Sequence, residues 1–198
     1  MDRKKKILEL AKQRGIIRPR DVEGAGIPRE YLLRLYRKGD LTRVDRGLYA
    51  LSDSLTSESV TLAEVAKRVP NAVVCLLSAL QFHNLTTQIS HRVWIAIENR
   101  KWKPKFDYPP IEVVRFSDRA FNFGVEVHDV DRVPVKVYSP AKTVADCFKF
   151  RSKIGLDVAL ESLRETWRSR KATIDELWEA AKACRVANVM RPYLETVV

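Results

Sequence analysis

Basic side chains recur between residues 18 and 46 of this chain at spacings that suit contact with a polyanion. An arginine guanidinium forms paired hydrogen bonds with phosphate oxygens or with a guanine edge, and a lysine ammonium adds a point charge beside phosphate. The segment therefore predicts noncovalent binding to nucleic acid rather than bond-breaking chemistry. The basic candidates are Arg18, Arg20, Arg29, Arg34, Arg37, Lys38, Arg43 and Arg46.

The positive charge of the chain is concentrated at its N-terminal end. Residues 1–52 contain 14 Lys and Arg against 7 Asp and Glu, whereas the net charge of all 198 residues is +11. A single helix with arginines on its outer face is about as often a plain solvated surface as a binding site. The asymmetry along the chain favours binding, because one strongly basic end is typical of a protein that docks on a polyanion.

A second set of residues could hold a divalent metal ion for hydrolysis. Asp129 and Asp131 lie two positions apart, and Lys136 follows on the next predicted strand, which faintly resembles the site of metal-dependent nucleases. Carboxylates at the end of a strand more often form turns, and no third acidic residue is placed beside them. Asp146 favours a helix start or an internal ion pair. We therefore expect no catalytic residue, with a nuclease as a less favoured alternative.

Cysteines and histidines do not predict a metal or a cofactor. The three cysteines are odd in number, far apart and set in apolar or helical stretches, which favours buried reduced thiols over disulfides or zinc ligands. The three histidines lack metal-ligand spacing, and the first of them favours a structural role at a helix end. These residues are Cys75, Cys147, Cys184, His83, His91 and His128.

Proline and glycine divide the basic segment into two helices joined by a tight turn. Pro19 suits the first turn of a short helix that closes at Gly26. Pro28 opens a second helix, which ends at Gly39. Strands at 41–44 and 48–51, joined by a turn at 45–47, complete a hairpin. This order predicts a winged helix-turn-helix over residues 1–52.

The second helix carries an apolar stripe and a basic outer face. Leu32, Leu35 and Tyr36 are spaced three and four positions apart and are expected to face the core. The arginines of this helix lie largely off that stripe. A basic residue at the tip of the following hairpin is placed to touch phosphate or to reach a minor groove.

A mixed α/β domain is predicted over residues 58–198, after a short polar linker at 52–57. Strands are expected at 93–97, 111–116, 125–130 and 133–138, and helices at 61–69, 78–83, 141–150, 156–168, 174–184 and 186–198, with 72–77 as a strand or a helix start. The fold class is therefore α+β, with a small sheet and C-terminal helices. No membrane-spanning run or secretion signal occurs, and we expect a cytoplasmic protein.

A basic aromatic loop interrupts this domain at residues 101–106, with sequence KWKPKF. Trp102 and Phe106 could stack on nucleic acid or anchor a protein partner. Covering the edge of the sheet is the more common role for such aromatics.

The chain resembles the AbiEi family of antitoxins from type IV toxin–antitoxin systems of abortive infection. The N-terminal resemblance lies in Ala25-Gly26-Ile27, Leu32, Leu35, Lys38-Gly39-Asp40-Leu41 and Arg46-Gly47-Leu48-Tyr49. The C-terminal resemblance lies in Ser78-Ala79-Leu80, His83, Leu85, Val135, Ser139-Pro140, Lys142-Thr143 and Asp146. Leu33 departs from the pattern, which has an exposed polar residue there, and Tyr31 is a candidate contact in its place.

The resemblance implies a function without catalysis. The winged helix would bind repeats in the promoter of the protein's own operon and repress it. The C-terminal domain would oppose a nucleotidyltransferase-like toxin, and either a monomer or a dimer could act. A ligand-responsive transcriptional regulator, with the second domain as its sensor, is a further alternative, beside the less favoured nuclease from a different class.

Overall fold

The structure, a computed structural model, describes residues 3–52, 57–106 and 108–197. Contacts divide the chain into two compact units. The first comprises Met1–Pro70 and His128–Val135, and the second comprises Asn71–Val127 and Lys136–Val198. The helix that follows residue 56 therefore groups with the first unit. Among the described residues, no helix is long and apolar enough to cross a membrane.

The first unit has the element order expected of a winged helix-turn-helix. It contains α1 (Arg3–Arg14), β1 (Ile16–Ile17), α2 (Pro19–Gly24), α3 (Arg29–Lys38), β2 (Leu41–Asp45), β3 (Leu48–Leu51) and α4 (Ser57–Arg68). The three strands form an antiparallel sheet in the order β1-β3-β2. The predicted linker at 52–57 falls largely on residues 53–56, which lie outside the described residues.

Local interactions hold the turns of the helix-turn-helix. The carboxylate of Asp21 accepts a hydrogen bond of 2.7 Å from the backbone N–H of Arg18 and so caps the start of α2. Gly39 ends α3 in the left-handed conformation, with φ of 85°, and its N–H donates to the carbonyl of Tyr36. A side chain is disfavoured at that φ, which explains the glycine.

The core of the first unit is built from apolar side chains of the helices and of the small sheet. Its buried members are Ile7, Ala11, Ile17, Val22, Ile27, Leu32, Leu35, Leu41 and Tyr49. The predicted stripe on α3 is correct for Leu32 and Leu35 and wrong for Tyr36, which is 40% exposed. The Tyr36 ring packs edge-on against Tyr49 with centroids 5.8 Å apart, so it lies at the rim of the core.

The second unit is built on a mixed sheet covered by helices. The strands of this sheet are β4 (Val73–Val74), β5 (Val93–Glu98), β6 (Ile111–Phe116), β7 (Val125–Val130) and β8 (Val133–Tyr138), in the order β6-β5-β4-β8-β7, and the ends of β7 and β8 within residues 128–135 group with the first unit. The helices of the second unit are α5 (Leu76–Phe82), α6 (Asp118–Asn122), α7 (Pro140–Lys149), α8 (Arg151–Ile154), α9 (Leu156–Arg168), α10 (Ile174–Cys184) and α11 (Ala187–Val197). The α+β class is confirmed.

A buried ion pair lies in the core of the second unit. Both oxygens of Asp146 accept hydrogen bonds of 2.6 Å from the ammonium of Lys142, and both side chains are fully buried. The ammonium also lies 4.3 Å from the ring centroid of Phe116 and 4.0 Å from that of Tyr138. Burial raises the pKa of Asp146, while Lys142 opposes that rise. The internal ion pair favoured for Asp146 is therefore present.

The remaining residues with reactive groups in this unit have structural contacts. Cys75, Cys147 and Cys184 are buried free thiols, as predicted, and Cys184 lies 3.3 Å from a carboxylate oxygen of Asp146. His83 caps the end of α5, and its Nε2 lies 2.7 Å from the carbonyl oxygen of Tyr138. Cys184 and His83 therefore have structural contacts, and the other two thiols lie in the buried core of this unit.

Candidate nucleic-acid interface

Five arginines line one cleft on the first unit. Arg18 and Arg20 come from the start of α2, Arg29 from the start of α3, Arg46 from the turn between β2 and β3, and Arg68 from the end of α4. The cleft has a volume of about 410 Å³, and its other lining residues are Pro19, Glu23, Gly47 and Leu48. We call it the arginine cleft. It brings together four of the residues predicted from sequence to bind nucleic acid.

The fold explains why these distant arginines meet. Pro19 begins α2, and the Asp21 cap fixes the backbone at Arg18. β1 pairs with β3, so the end of the hairpin that carries Arg46 belongs to the same sheet as the strand preceding α2. The predicted hairpin turn therefore places its basic tip beside the two helix starts.

Neighbouring positive charges act on basic residues at and beside the cleft. The pKa of Arg18 is lowered, first by burial and then by the charge of Arg20. The pKa of Lys67, in α4, is lowered by burial and by Arg18, Arg14 and Arg20, against the opposing effect of Asp21. Like charges disfavour one another at such distances, and an anion would relieve that repulsion. The arrangement is suited to a phosphate group.

Arg68 was not among the residues predicted from sequence. Its guanidinium donates a hydrogen bond of 2.6 Å to Glu64, one turn earlier on α4. The side chain of Glu64 is 2% exposed and that of Arg68 is 11% exposed. Burial raises the pKa of Glu64 to about 7. The only signal in the sequence is the spacing of four between Glu64 and Arg68, and that spacing is common on helices.

A second basic cluster surrounds Tyr31 on α3. The guanidinium carbon of Arg34 lies 5.2 Å from the Tyr31 ring centroid, and that of Arg3 lies 5.4 Å from it. Arg3 also donates a hydrogen bond of 3.2 Å to the Tyr31 hydroxyl. Two arginines from different helices thus contact the ring of Tyr31 through cation–π interactions. Arg3 is a further residue that the sequence analysis missed.

The other predicted residues lie on α3 and on the hairpin. Arg37 and Lys38 are exposed in the last turn of α3, where Lys38 lies 3.8 Å from a carboxylate oxygen of Asp40. Arg43 is exposed on β2, opposite Tyr49 in the strand register. Leu33 is 39% exposed, so an apolar side chain does stand on the outer face of α3.

The acidic residues considered for a metal site form a turn. Asp129 accepts a hydrogen bond of 2.8 Å from the backbone N–H of Arg132, and Asp131 and Arg132 both have positive φ between β7 and β8. In the described part of the chain, no group of three or more His, Cys, Asp or Glu residues could hold a metal ion. This geometry is that of a hairpin turn and gives no support to the nuclease alternative.

The tryptophan of the basic loop at 101–106 does not cover the edge of the sheet. Trp102 is 95% exposed, whereas Phe106 is half-buried. The more common role, protection of a sheet edge, is therefore wrong for Trp102.

Comparison with known families decides what the first unit resembles. Residues 5–52 match the model of a family described as "Transcriptional regulator, AbiEi antitoxin". The AbiEi resemblance is confirmed. It covers α2, α3 and the hairpin, and the family whose model matches is one of transcriptional regulators. The AbiEi match ends before α4, and the motifs of the second unit remain a resemblance.

Comparison with whole proteins adds evidence on the fold. None of the curated proteins matches the chain. Among solved structures, the chain is similar to the crystal structure of the RV2827C protein from Mycobacterium tuberculosis, with a TM-score of 0.51 and 12% sequence identity. The alignment covers 94% of this chain and 78% of that chain. At this identity the likeness concerns the fold alone.

Proposed function

We propose that the protein is a DNA-binding antitoxin that represses its own operon and carries out no catalysis. The observation that carries the proposal is the arginine cleft, to which the AbiEi-like segment contributes four arginines at the start of both helices and at the hairpin turn. In this proposal residues 1–52 are the DNA-binding domain. Double-stranded DNA with promoter repeats is the partner, bound by one copy or by two.

Phosphate and base contacts are divided between different side chains. The cleft arginines hold the DNA backbone, because phosphate contacts fix the register of a protein on a duplex without reading sequence. Arg34 and Arg37 project from α3 and read base edges in the major groove, where a bidentate arginine selects guanine. Tyr31 stabilises the orientation of Arg34 through its ring.

The second unit is proposed to oppose a nucleotidyltransferase-like toxin encoded beside the antitoxin. Support comes from the C-terminal resemblance and from the exposed aromatic side chain of Trp102, which suits a protein partner. Coexpression with the neighbouring reading frame tests this half of the proposal. Growth rescued by the full-length protein, relative to toxin alone, is the expected result. Unrelieved arrest with the full-length protein would contradict it.

A salt-dependent binding titration tests the DNA half. The probes are the upstream promoter duplex and a scrambled duplex of equal length. We expect promoter-selective affinity whose logarithm falls linearly with the logarithm of salt concentration. The Arg29→Ala/Arg34→Ala/Arg37→Ala variant should lose specific binding, and unchanged specific binding in that variant would refute the assignment. An affinity that responds to a small molecule would favour the ligand-responsive alternative.

A further inference from the structure

Arg68 contributes to the arginine cleft from outside the segment that matches the AbiEi family. It ends α4, sixteen residues beyond the matched segment, yet it lines the same cavity as Arg18, Arg29 and Arg46. Its side chain is only 11% exposed, and it is one of the residues that line this open cleft. A helix outside the helix-turn-helix therefore supplies one wall of the basic site.

A buried carboxylate fixes the position of Arg68. Glu64 accepts the 2.6 Å hydrogen bond from Arg68 Nη2, and the Glu64 side chain is 2% exposed. A free arginine side chain has considerable rotamer entropy, which is lost when the side chain is ordered. Because the pair orders Arg68 before any ligand arrives, binding does not incur that cost again. Such preorganisation raises affinity without a new contact.

The chemistry of the lining selects an anion with several acceptor oxygens. Five arginines line the cleft, and the carboxylates near them are Glu23 in the lining, Glu64 beside Arg68 and Asp21, which accepts from the backbone N–H of Arg18. Guanidinium groups bind phosphate oxygens through paired, charge-assisted hydrogen bonds. The volume of about 410 Å³ lies within the range of about 300–1,000 Å³ that is usual for ligand sites.

We infer that the arginine cleft is a discrete site for a backbone phosphate group of DNA, in which Arg68 is a direct ligand and Glu64 is the residue that positions it. The inference rests on the proposed function for the source of the phosphate. It extends the DNA interface to α4, beyond the family segment and beyond the residues predicted from sequence. Arg68 contacts phosphate and therefore adds affinity for every DNA sequence alike.

The salt dependence of DNA binding tests the role of Arg68. Arg68→Ala should weaken promoter and scrambled duplexes equally, by about tenfold or more, and should reduce the slope of log K against log salt by about 0.9. Arg168→Ala is the matched control, since Arg168 is 80% exposed on α9, and it should change neither quantity. An Arg68→Ala protein with wild-type helicity, affinity and slope would overturn the inference.

Two conservative variants separate charge from position. Arg68→Lys keeps the charge, so we expect the wild-type salt slope with reduced affinity, because lysine lacks the paired donors. Glu64→Gln leaves Arg68 intact but loosens it, so the slope should stay unchanged while affinity falls about three- to tenfold. A purely structural role for the pair would instead lower the melting temperature of both variants without this division between slope and affinity.

A titration with inorganic phosphate and with pyrophosphate tests the cleft without DNA. The readout is the NMR signal of each arginine Nε–Hε group in the full-length protein. Shifts of Arg68, Arg18 and Arg46 that saturate, and that Glu64→Gln weakens, support the site. Absence of DNA binding with these shifts present refutes the proposed function and assigns the site to a free phosphate compound. Absence of both effects overturns the inference.

Discussion

The buried Lys142–Asp146 pair gives the sharpest stability prediction. Asp146→Asn keeps the shape of the side chain and removes only its charge, which leaves the Lys142 ammonium without an anion in a fully buried site. Removal of one partner of a buried ion pair costs about 3–5 kcal/mol. The rings of Phe116 and Tyr138 remain beside the ammonium, and we therefore expect a cost near the middle of that range.

Urea unfolding followed by tryptophan fluorescence measures this cost. All four tryptophans, Trp94, Trp102, Trp167 and Trp178, belong to the second unit, so the signal reports that unit alone. With a slope of about 2 kcal/mol per molar urea, a loss of about 4 kcal/mol lowers the midpoint by about 2 M. This shift is large compared with experimental error.

Two control variants make the result decisive. Lys182→Met breaks an exposed ion pair in which the ammonium nitrogen of Lys182 lies 2.8 Å from a carboxylate oxygen of Glu179. Because exposed pairs contribute little to stability, this variant should leave the urea midpoint unchanged. The double variant Lys142→Met/Asp146→Leu should recover much of the loss, because apolar residues of similar volume often replace a buried pair without penalty. The reasoning is refuted if Asp146→Asn behaves like Lys182→Met.

Three further predictions concern recognition, backbone conformation and thiol reactivity. Arg34→Ala should reduce the free energy of binding to the promoter by about 1–3 kcal/mol and relax specificity at one base pair. Arg46→Ala should weaken binding to all duplexes alike. Fluorescence anisotropy with a panel of duplexes that differ at single base pairs distinguishes the two outcomes. Gly39→Ala should destabilise the first unit by about 1–2 kcal/mol, because the φ of Gly39 is 85°. Gly24→Ala is the control: its φ is not positive and the space around it is open, so the change should be neutral or stabilising. Unfolding followed by circular dichroism measures both effects. Burial raises the pKa of Cys184 to about 12 and also raises the pKa of Cys75 and of Cys147. A colorimetric disulfide reagent should therefore label no thiol in the native protein and three thiols in urea. Rapid labelling of the native protein would contradict the burial.

Elements with strong local signals were predictable from the sequence. The helix-turn-helix is marked by Pro19, Pro28 and Gly39, whose backbone limits act within a few residues. The strands at 93–98, 111–116, 125–130 and 133–138 carry β-branched residues that fit a pleated surface. Strand β4 was ambiguous because it has only two residues and pairs on both sides through contacts distant in sequence.

The parts of the site that escaped prediction depend on tertiary contacts. Periodicity placed Tyr36 on the apolar stripe of α3, but the stripe is wider than the core beneath it, and the ring remains at the rim beside Tyr49. Arg68 lies in a helix whose sequence pattern gives no hint of the cavity it enters. Arg3 reaches Tyr31 across 28 positions of the chain. No local spacing rule reports such contacts.

The burial of the C-terminal motif residues constrains how the second unit could oppose a toxin. Lys142, Thr143 and Asp146 are fully buried, and the hydroxyl of Thr143 donates to the carbonyl of Tyr138, which His83 also contacts. Side chains in this position cannot touch a partner protein, since an interface is made by exposed groups. Their variants should therefore reduce toxin neutralisation only in proportion to lost folding. Trp102→Ala tests the opposite case, because its side chain is 95% exposed and its removal should change neutralisation at constant stability.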